Sequence, residues 1–151
     1  MYCDGASKGN PGISGYGFIS GTSSGEFLVA VSGGLGVSTN YYAKILAVLN
    51  AGEWALSKGH EEVLLRTDSS AAISAFQSNK ISWFAIKRWE KICARLKTWC
   101  FIYGYGETNF SADDLSNKGA NISRGERRIY ESRPHFLNPM EIPNQPYYKF
   151  C

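Results

Sequence analysis

The chain lacks the features that mark membrane and secreted proteins. Its 151 residues contain no apolar run long enough to span a bilayer, and its first residues lack a basic region followed by an apolar stretch. The net charge is only +3, which permits a nucleic-acid partner without indicating one. We therefore expect an intracellular monomer, nuclear or cytoplasmic, without a membrane partner. The length suits one domain with a core of ordinary size.

Cysteine and histidine are scarce, and neither is spaced as a metal ligand. The cysteines form no Cys-x-x-Cys pair; they are Cys3, Cys93, Cys100 and Cys151. We expect four reduced thiols. Of the two histidines, His60 follows a predicted helix and His135 lies near the C-terminal end, and we assign neither a catalytic role. The candidate chemistry therefore rests on carboxylates.

The segment Asp4-Gly5-Ala6-Ser7-Lys8-Gly9-Asn10-Pro11-Gly12 is the most informative part of the chain. It places a carboxylate at the end of a short apolar strand, before a glycine-punctuated loop. The sequence Asn-Pro-Gly supplies turn chemistry, because proline presets φ and glycine accepts a positive φ. A carboxylate followed by a loop rich in backbone N–H groups suits a metal ion and a sugar-phosphate backbone.

Periodicity and turn residues predict an α/β fold. Ser38 or Thr39 can cap the first helix, which runs to about Ser57. The other predicted helices are Asp68–Gln77, Ile81–Leu96 and Ser111–Ala120, and the predicted strands are Met1–Cys3 at most, Ser14–Ser20, Glu26–Val31, Glu61–Thr67 and Thr98–Tyr103. This order gives a five-stranded mixed sheet, with three antiparallel strands first and two more reached by helical crossovers.

Both ends of the chain differ from the middle. Because only three residues precede Asp4, we expect a first strand shortened relative to a complete domain. Residues 123–151 contain four prolines and no strand or helix periodicity, so we predict a domain at 1–122 followed by an extended or disordered tail. The tail's arginines are interpreted as solvated rather than bound to phosphate; they are Arg124, Arg127, Arg128 and Arg133.

Four segments carry the chain's candidate acids and the residues around them. They are Asp4–Gly12, Thr39-Asn40-Tyr41-Tyr42-Ala43, Leu64-Leu65-Arg66-Thr67-Asp68-Ser69-Ser70 and Glu107–Leu115. Together they resemble the motifs of a type 1 ribonuclease H domain, in the form carried by plant non-LTR retrotransposons and related plant genes. The resemblance covers roughly residues 2 to 120 and implies the ribonuclease H-like fold, with helices on both faces of the sheet. It also implies an endonuclease that hydrolyses the RNA strand of RNA–DNA hybrids with Mg²⁺ or Mn²⁺.

Such a domain has four metal-binding acids in the order Asp, Glu, Asp, Asp. The resemblance assigns Asp4, Asp68 and Asp113 as catalytic metal ligands, whereas Lys44 stands where the glutamate is expected. By themselves, Asp68 and Asp113 are also explained as acids that stabilise helix N-termini. Asp114, three residues after Ser111, fits a capping box.

Lys44 shares a helix face with the small apolar residues Ala47, Val48 and Ala51, so it points toward the sheet. It removes a ligand and brings a cation close to the metals, a repulsion of several kcal/mol at an effective dielectric near 20. We therefore expect weakened metal binding and weak or lost cleavage. A further hypothesis is that the lysine ammonium acts as a tethered cation where a metal would sit.

The resemblance also implies nucleic-acid contacts. These are Ser7, Asn10, Asn40 and Ser70, because a hybrid is read in its minor groove by short polar side chains. Alternatively, Asn10 serves its turn and Asn40 the helix start. The tryptophans Trp83, Trp89 and Trp99 are predicted to be packing residues, and the loop Tyr103–Glu107 lacks the histidine that many family members carry. The alternatives to a nuclease are a non-catalytic hybrid-binding module and a decayed retroelement fragment.

Overall fold

A computed structural model describes residues 1–104, 110–134, 136 and 147–150 of the chain, with only the backbone described for Phe110 and for 147–150. The first half of the sheet is an antiparallel meander of β1 (Tyr2–Gly9), β2 (Gly12–Gly21) and β3 (Phe27–Ser38). The prediction that the first strand ends at Cys3 is wrong. The glycine-rich segment after Cys3 pairs residue for residue with β2, and its glycines had weakened the strand signal.

The helices and crossover strands follow the prediction closely. They are α1 (Asn40–Ser57), β4 (Glu62–Thr67), α2 (Ser70–Ser78), α3 (Trp83–Arg95), β5 (Thr98–Gly104) and α4 (Phe110–Gly119). β4 lies parallel to both β1 and β5, which confirms a mixed sheet. The N-cap of α2 is Ser69, whose side chain accepts a hydrogen bond from the Ala72 N–H. Asp68 therefore precedes the helix without capping it.

The stretch after residue 122 contributes two strands that no pattern in the sequence indicated. β6 (Arg127–Tyr130) pairs antiparallel with β3, and β7 (Tyr147–Phe150) pairs antiparallel with β5. The prediction of a five-stranded sheet is therefore wrong, because the described residues form seven strands in the order β6-β3-β2-β1-β4-β5-β7. Both added strands are short and lie at sheet edges, where pairing depends on the backbone more than on an apolar pattern. The division of the chain at residue 122 stays a prediction.

Helices pack against both faces of the sheet. A Cβ on Gly5 of β1 would meet the backbone of α1, whereas a Cβ on Gly17, which pairs with Asp4, would meet Leu115 of α4. Because neighbouring residues of a strand face opposite sides, α1 and α4 lie on opposite faces. Within the described residues, no helix is long and apolar enough to cross a membrane.

The aromatic core lies on the α1 face. Trp89 packs against Phe76, Phe101 and Trp99, with ring centroids 4.8 to 5.5 Å apart. The packing role predicted for Trp83 is wrong, because this residue is 75% exposed. It is the first residue of α3, directly after the Ser82 cap, where few neighbouring side chains can cover it.

The three cysteines that the structure describes are of two kinds. Cys3 and Cys93 are free, and burial raises the pKa of the Cys3 thiol to about 12 and that of the Cys93 thiol to about 11. Cys100 is disulfide-bonded, so the expectation of four reduced thiols is wrong at this position. It lies on β5, whose pairing with β7 the sequence pattern did not indicate.

Candidate active site

The cation at position 44 bridges two of the predicted ligands. Asp4 lies buried in β1, Asp68 follows β4, and Lys44 lies in the second turn of α1. The Lys44 ammonium donates hydrogen bonds to Asp4 Oδ1 at 2.6 Å and to Asp68 Oδ1 at 2.7 Å. The position where the resemblance implies an acid therefore holds the counterion of its two neighbours.

A glycine brings Lys44 this close to the sheet. A Cβ on Gly5 would lie 2.2 to 2.5 Å from the backbone atoms of Ala43 and Lys44, so any side chain at residue 5 would push α1 away. Thr39 fixes the start of the helix, because its hydroxyl accepts a hydrogen bond from the Tyr42 N–H at 3.1 Å. The predicted direction of Lys44, toward the sheet, is confirmed by its contact with Asp4 on β1.

Burial and charge oppose each other in this cluster. Burial raises the pKa of Asp4 to about 6, although Lys44 and the Gly5 N–H favour its ionised form. Partial burial also disfavours the charged form of Lys44, but its attraction to Asp4 and its hydrogen bonds to both carboxylates outweigh this and raise its pKa. Lys44 is therefore a cation at neutral pH.

Asp113 occupies a different environment. It is exposed in the first turn of α4, where the helix dipole favours an acid, as the alternative interpretation expected. Its backbone carbonyl accepts hydrogen bonds from Ser116 Oγ and Asn117 Nδ2. The assignment of Asp4, Asp68 and Asp113 as catalytic metal ligands stays a prediction.

The described donor set does not fit a divalent metal centre. In the part of the chain that the structure describes, no three Asp, Glu, His or Cys side chains are grouped closely enough to hold a metal ion. Mg²⁺ needs oxygen ligands in near-octahedral geometry, and here an ammonium already contacts an oxygen of both carboxylates. In this arrangement the lysine ammonium, rather than a divalent ion, is therefore the counterion of the two carboxylates.

Of the four residues predicted to contact nucleic acid, three are joined by hydrogen bonds and the fourth lies apart from them. The Ser7 N–H donates to Asn40 Oδ1 at 2.8 Å, and the Asn40 N–H donates to Asn10 Oδ1 at 3.2 Å. Ser70 lies elsewhere, exposed at the first residue of α2. The asparagine oxygens thus serve the turn and the helix start, but each side chain carries two further N–H donors that these contacts do not use.

Sequence reasoning missed two features of the site. The first is that Gly5 allows α1 to approach the sheet closely. The signal for this in the sequence is the position of a glycine directly after Asp4, on a strand that faces a helix. The second is the double contact of Lys44, because its second partner, Asp68, lies 24 residues further along the chain. Most of the loop Tyr103–Glu107 and the match at Glu107–Asn109 lie outside the described residues.

Comparison with known proteins identifies the family to which this fold belongs. The family model described as RNase H matches residues 1–121. The ribonuclease H of Geotalea uraniireducens (strain Rf4) is 27% identical in an alignment 146 residues long that covers 84% of this chain and 97% of that protein.

Solved structures agree with the family match. RNase H1 from the halophilic archaeon Halobacterium salinarum NRC-1 is 26% identical, with a TM-score of 0.72 over 80% of this chain and 95% of that one. LC11-RNase H1, solved in complex with an RNA/DNA hybrid, is 28% identical, with a TM-score of 0.69 over 80% and 94% of the two chains. Proteins of the RNase H family generally use divalent metal ions. The chain belongs to the RNase H family.

Proposed function

We propose that the chain is an RNase H-type domain that binds RNA–DNA hybrids and in which cleavage of the RNA strand is weak or lost. The observation that carries this proposal is the double contact of the Lys44 ammonium with Asp4 and Asp68. A nuclease of this family would use these carboxylates for divalent metal. Here the lysine neutralises one of their two charges and occupies an oxygen of each.

The size of the electrostatic effect supports the loss of metal binding. A charge of +2 placed about 5 Å from the ammonium is repelled by roughly 7 kcal/mol at an effective dielectric of 20. Each 1.4 kcal/mol is about a tenfold loss of affinity, so occupancy by Mg²⁺ falls by several orders of magnitude. The site also lacks the carboxylate that the family pattern has at position 44.

Hybrid binding does not need the metal ligands. A hybrid is recognised by its groove shape and by the 2′-hydroxyls of the RNA strand, through short polar side chains and backbone amides. Ser7, Asn10 and Asn40 form one hydrogen-bonded group of this kind, close to the start of α1. The family match and the hybrid complex of LC11-RNase H1 support the choice of substrate class.

The test is hybrid binding and cleavage measured in parallel. We expect the chain to bind a labelled RNA–DNA hybrid in EDTA, with little change on addition of Mg²⁺ or Mn²⁺ and with the RNA left intact. The double variant Asn10→Ala and Asn40→Ala should bind more weakly, whereas the exposed control Asn117→Ala should not. Absence of hybrid binding, or binding only with divalent metal, would refute the proposal.

The lineage and setting belong to the same proposal. The motif Thr39–Ala43 supports descent from the RNase H domains of plant non-LTR retrotransposons, whereas Lys44 departs from their pattern. We infer that the domain acts as a monomer in the nucleus or cytoplasm. The rival, a decayed retroelement fragment, predicts poor folding, so cooperative unfolding in urea together with hybrid binding would contradict it.

A further inference from the structure

Cations surround the C-terminal end of α4, on the face of the sheet opposite α1. Lys8, near the end of β1, donates from Nζ to the Asn121 side-chain oxygen at 2.7 Å, directly after α4. Arg124 lies against β3, because a Cβ on Gly36 would be 3.2 Å from its Cδ atom. These two cations therefore lie on either side of the end of α4.

The added strand β6 extends this group. Arg128 pairs with Ser32 of β3, and the Ser32 hydroxyl donates to the Leu115 carbonyl of α4 at 2.8 Å. Paired residues share a face, so Arg128 also lies on the α4 side. Lys118, in the last turn of α4, lies 4.3 Å from the centre of the Phe136 ring. We call Lys8, Lys118, Arg124 and Arg128 the α4 cationic surface.

These cations are available to an anion. All four residues are exposed. The ion pairs within the described residues join Lys44 to Asp4 and Asp68 and Arg88 to Glu53, and none of them uses a member of the α4 cationic surface. The negative end of the α4 dipole explains part of the clustering, since cations near a helix C-terminus stabilise it. It does not explain Arg128, which lies on a separate strand.

The α4 cationic surface and the group proposed to contact the hybrid lie at the same end of β1, on opposite faces of the sheet. Lys8 follows Ser7 directly in β1 and precedes Asn10 by two residues. β1, β2, β3 and β6 are adjacent strands, so the surface extends roughly 14 Å sideways at about 4.8 Å per strand. That width equals about four nucleotides of one strand at 3.4 Å each.

We propose that the α4 cationic surface binds backbone phosphates of the nucleic acid beyond the segment held at Ser7, Asn10 and Asn40. The inference rests on the proposed function and extends it. The contacts are electrostatic and independent of sequence, so they set affinity and salt dependence rather than the choice of hybrid over duplex DNA. Two of the arginines interpreted from sequence as solvated, Arg124 and Arg128, thereby acquire a role in phosphate binding.

The test compares two triple variants of equal charge. In the first, Lys8→Gln, Arg124→Gln and Arg128→Gln remove cations from the proposed surface. In the control, Lys58→Gln, Arg95→Gln and Lys97→Gln remove exposed cations elsewhere. Hybrid affinity is measured in EDTA from about 50 to 200 mM salt. The slope of log K against log salt is negative, and each lost phosphate contact lowers its magnitude by roughly 0.9. We expect the magnitude of this slope to decrease by roughly two to three for the first variant and to stay unchanged for the control.

Hybrid length provides the second readout. The affinity difference between the first variant and the unaltered chain should shrink for a hybrid about four base pairs shorter at each end. Equal slopes in the two variants, or a loss that is the same for long and short hybrids and accompanies a lower unfolding temperature, would overturn the inference. A failure of the unaltered chain to bind any hybrid would instead refute the proposed function.

Discussion

Two ion-paired regions of the molecule use the same chemistry in different surroundings. Lys44 joins Asp4 and Asp68 at the sheet, where the Asp4 side chain is only 4% exposed. Arg88 joins Glu53 between α3 and α1, where the glutamate side chain is 43% exposed. Removing a partner from the exposed pair returns the other charge to water. Removing Lys44 leaves two carboxylates facing each other, one of them buried, so only the first region should control folding and metal affinity.

The largest expected effect comes from Lys44→Met. Loss of the ammonium leaves the buried Asp4 carboxylate uncompensated, and we expect the free energy of unfolding at neutral pH to fall by about 3 kcal/mol. Urea unfolding of the variant and of the unaltered chain measures this change. Adding Asp4→Asn to the variant should recover much of the loss, because the two sites are directly coupled. A change below about 1 kcal/mol would mean that Lys44 contributes no more to stability than an exposed ion pair does.

Lys44→Glu should convert the same region into a metal-dependent one. Three neighbouring carboxylates repel one another, so without divalent metal we expect this variant to be destabilised as well. Mg²⁺ or Mn²⁺ at about 100 times its Kd should then restore about 2.7 kcal/mol. Thermal unfolding with and without metal provides the measurement, and Glu53→Gln is the control. A metal-induced shift of equal size in the unaltered chain would contradict the account.

A smaller effect concerns pH. Burial raises the pKa of Asp4 from its ordinary value of 3.8 to about 6, so the folded state binds the proton more tightly than the unfolded state. The contribution of this group to stability is therefore present below about pH 4 and lost as pH rises through about 6. Unfolding free energies measured across this window should fall less steeply in Asp4→Asn than in the unaltered chain. Identical slopes would contradict the pKa shift.

The smallest effect is expected at the exposed pair. Glu53→Gln should change the free energy of unfolding by less than about 1 kcal/mol, since water solvates both partners. High salt should reduce even this difference. Urea unfolding at low and high salt checks the value, and a loss comparable to that of Lys44→Met would remove the distinction between the two regions.

Much of the fold was predictable because its central elements carry strong local signals. α1 begins one residue after its predicted cap and ends at the predicted Ser57, since apolar periodicity and Thr39 specify it. β1 was predicted too short, because Gly5 and Gly9 are poor strand formers held by pairing with β2. β6 and β7 gave no signal, because edge pairing depends on where neighbouring strands end.

The site was predictable only in part. The face of α1 showed that Lys44 points toward the sheet, and motif resemblance identified Asp4 and Asp68. That both carboxylates contact the same ammonium depends on the packing of α1 against Gly5 and on the position where β4 ends, which no local pattern contains. The exposure of Trp83 was missed for a related reason, because it depends on how α3 meets the core.

Cleavage of a labelled RNA–DNA hybrid decides whether Lys44 replaces metal in this site, when the unaltered chain and Lys44→Glu are compared with Mg²⁺ and with Mn²⁺. We predict that Lys44→Glu cuts the RNA strand. The unaltered chain, at the same concentration and with the same hybrid affinity, should leave the strand intact or cut it far more slowly. Equal cleavage by both proteins, or no gain from Lys44→Glu, would contradict the claim that Lys44 replaces metal in this site.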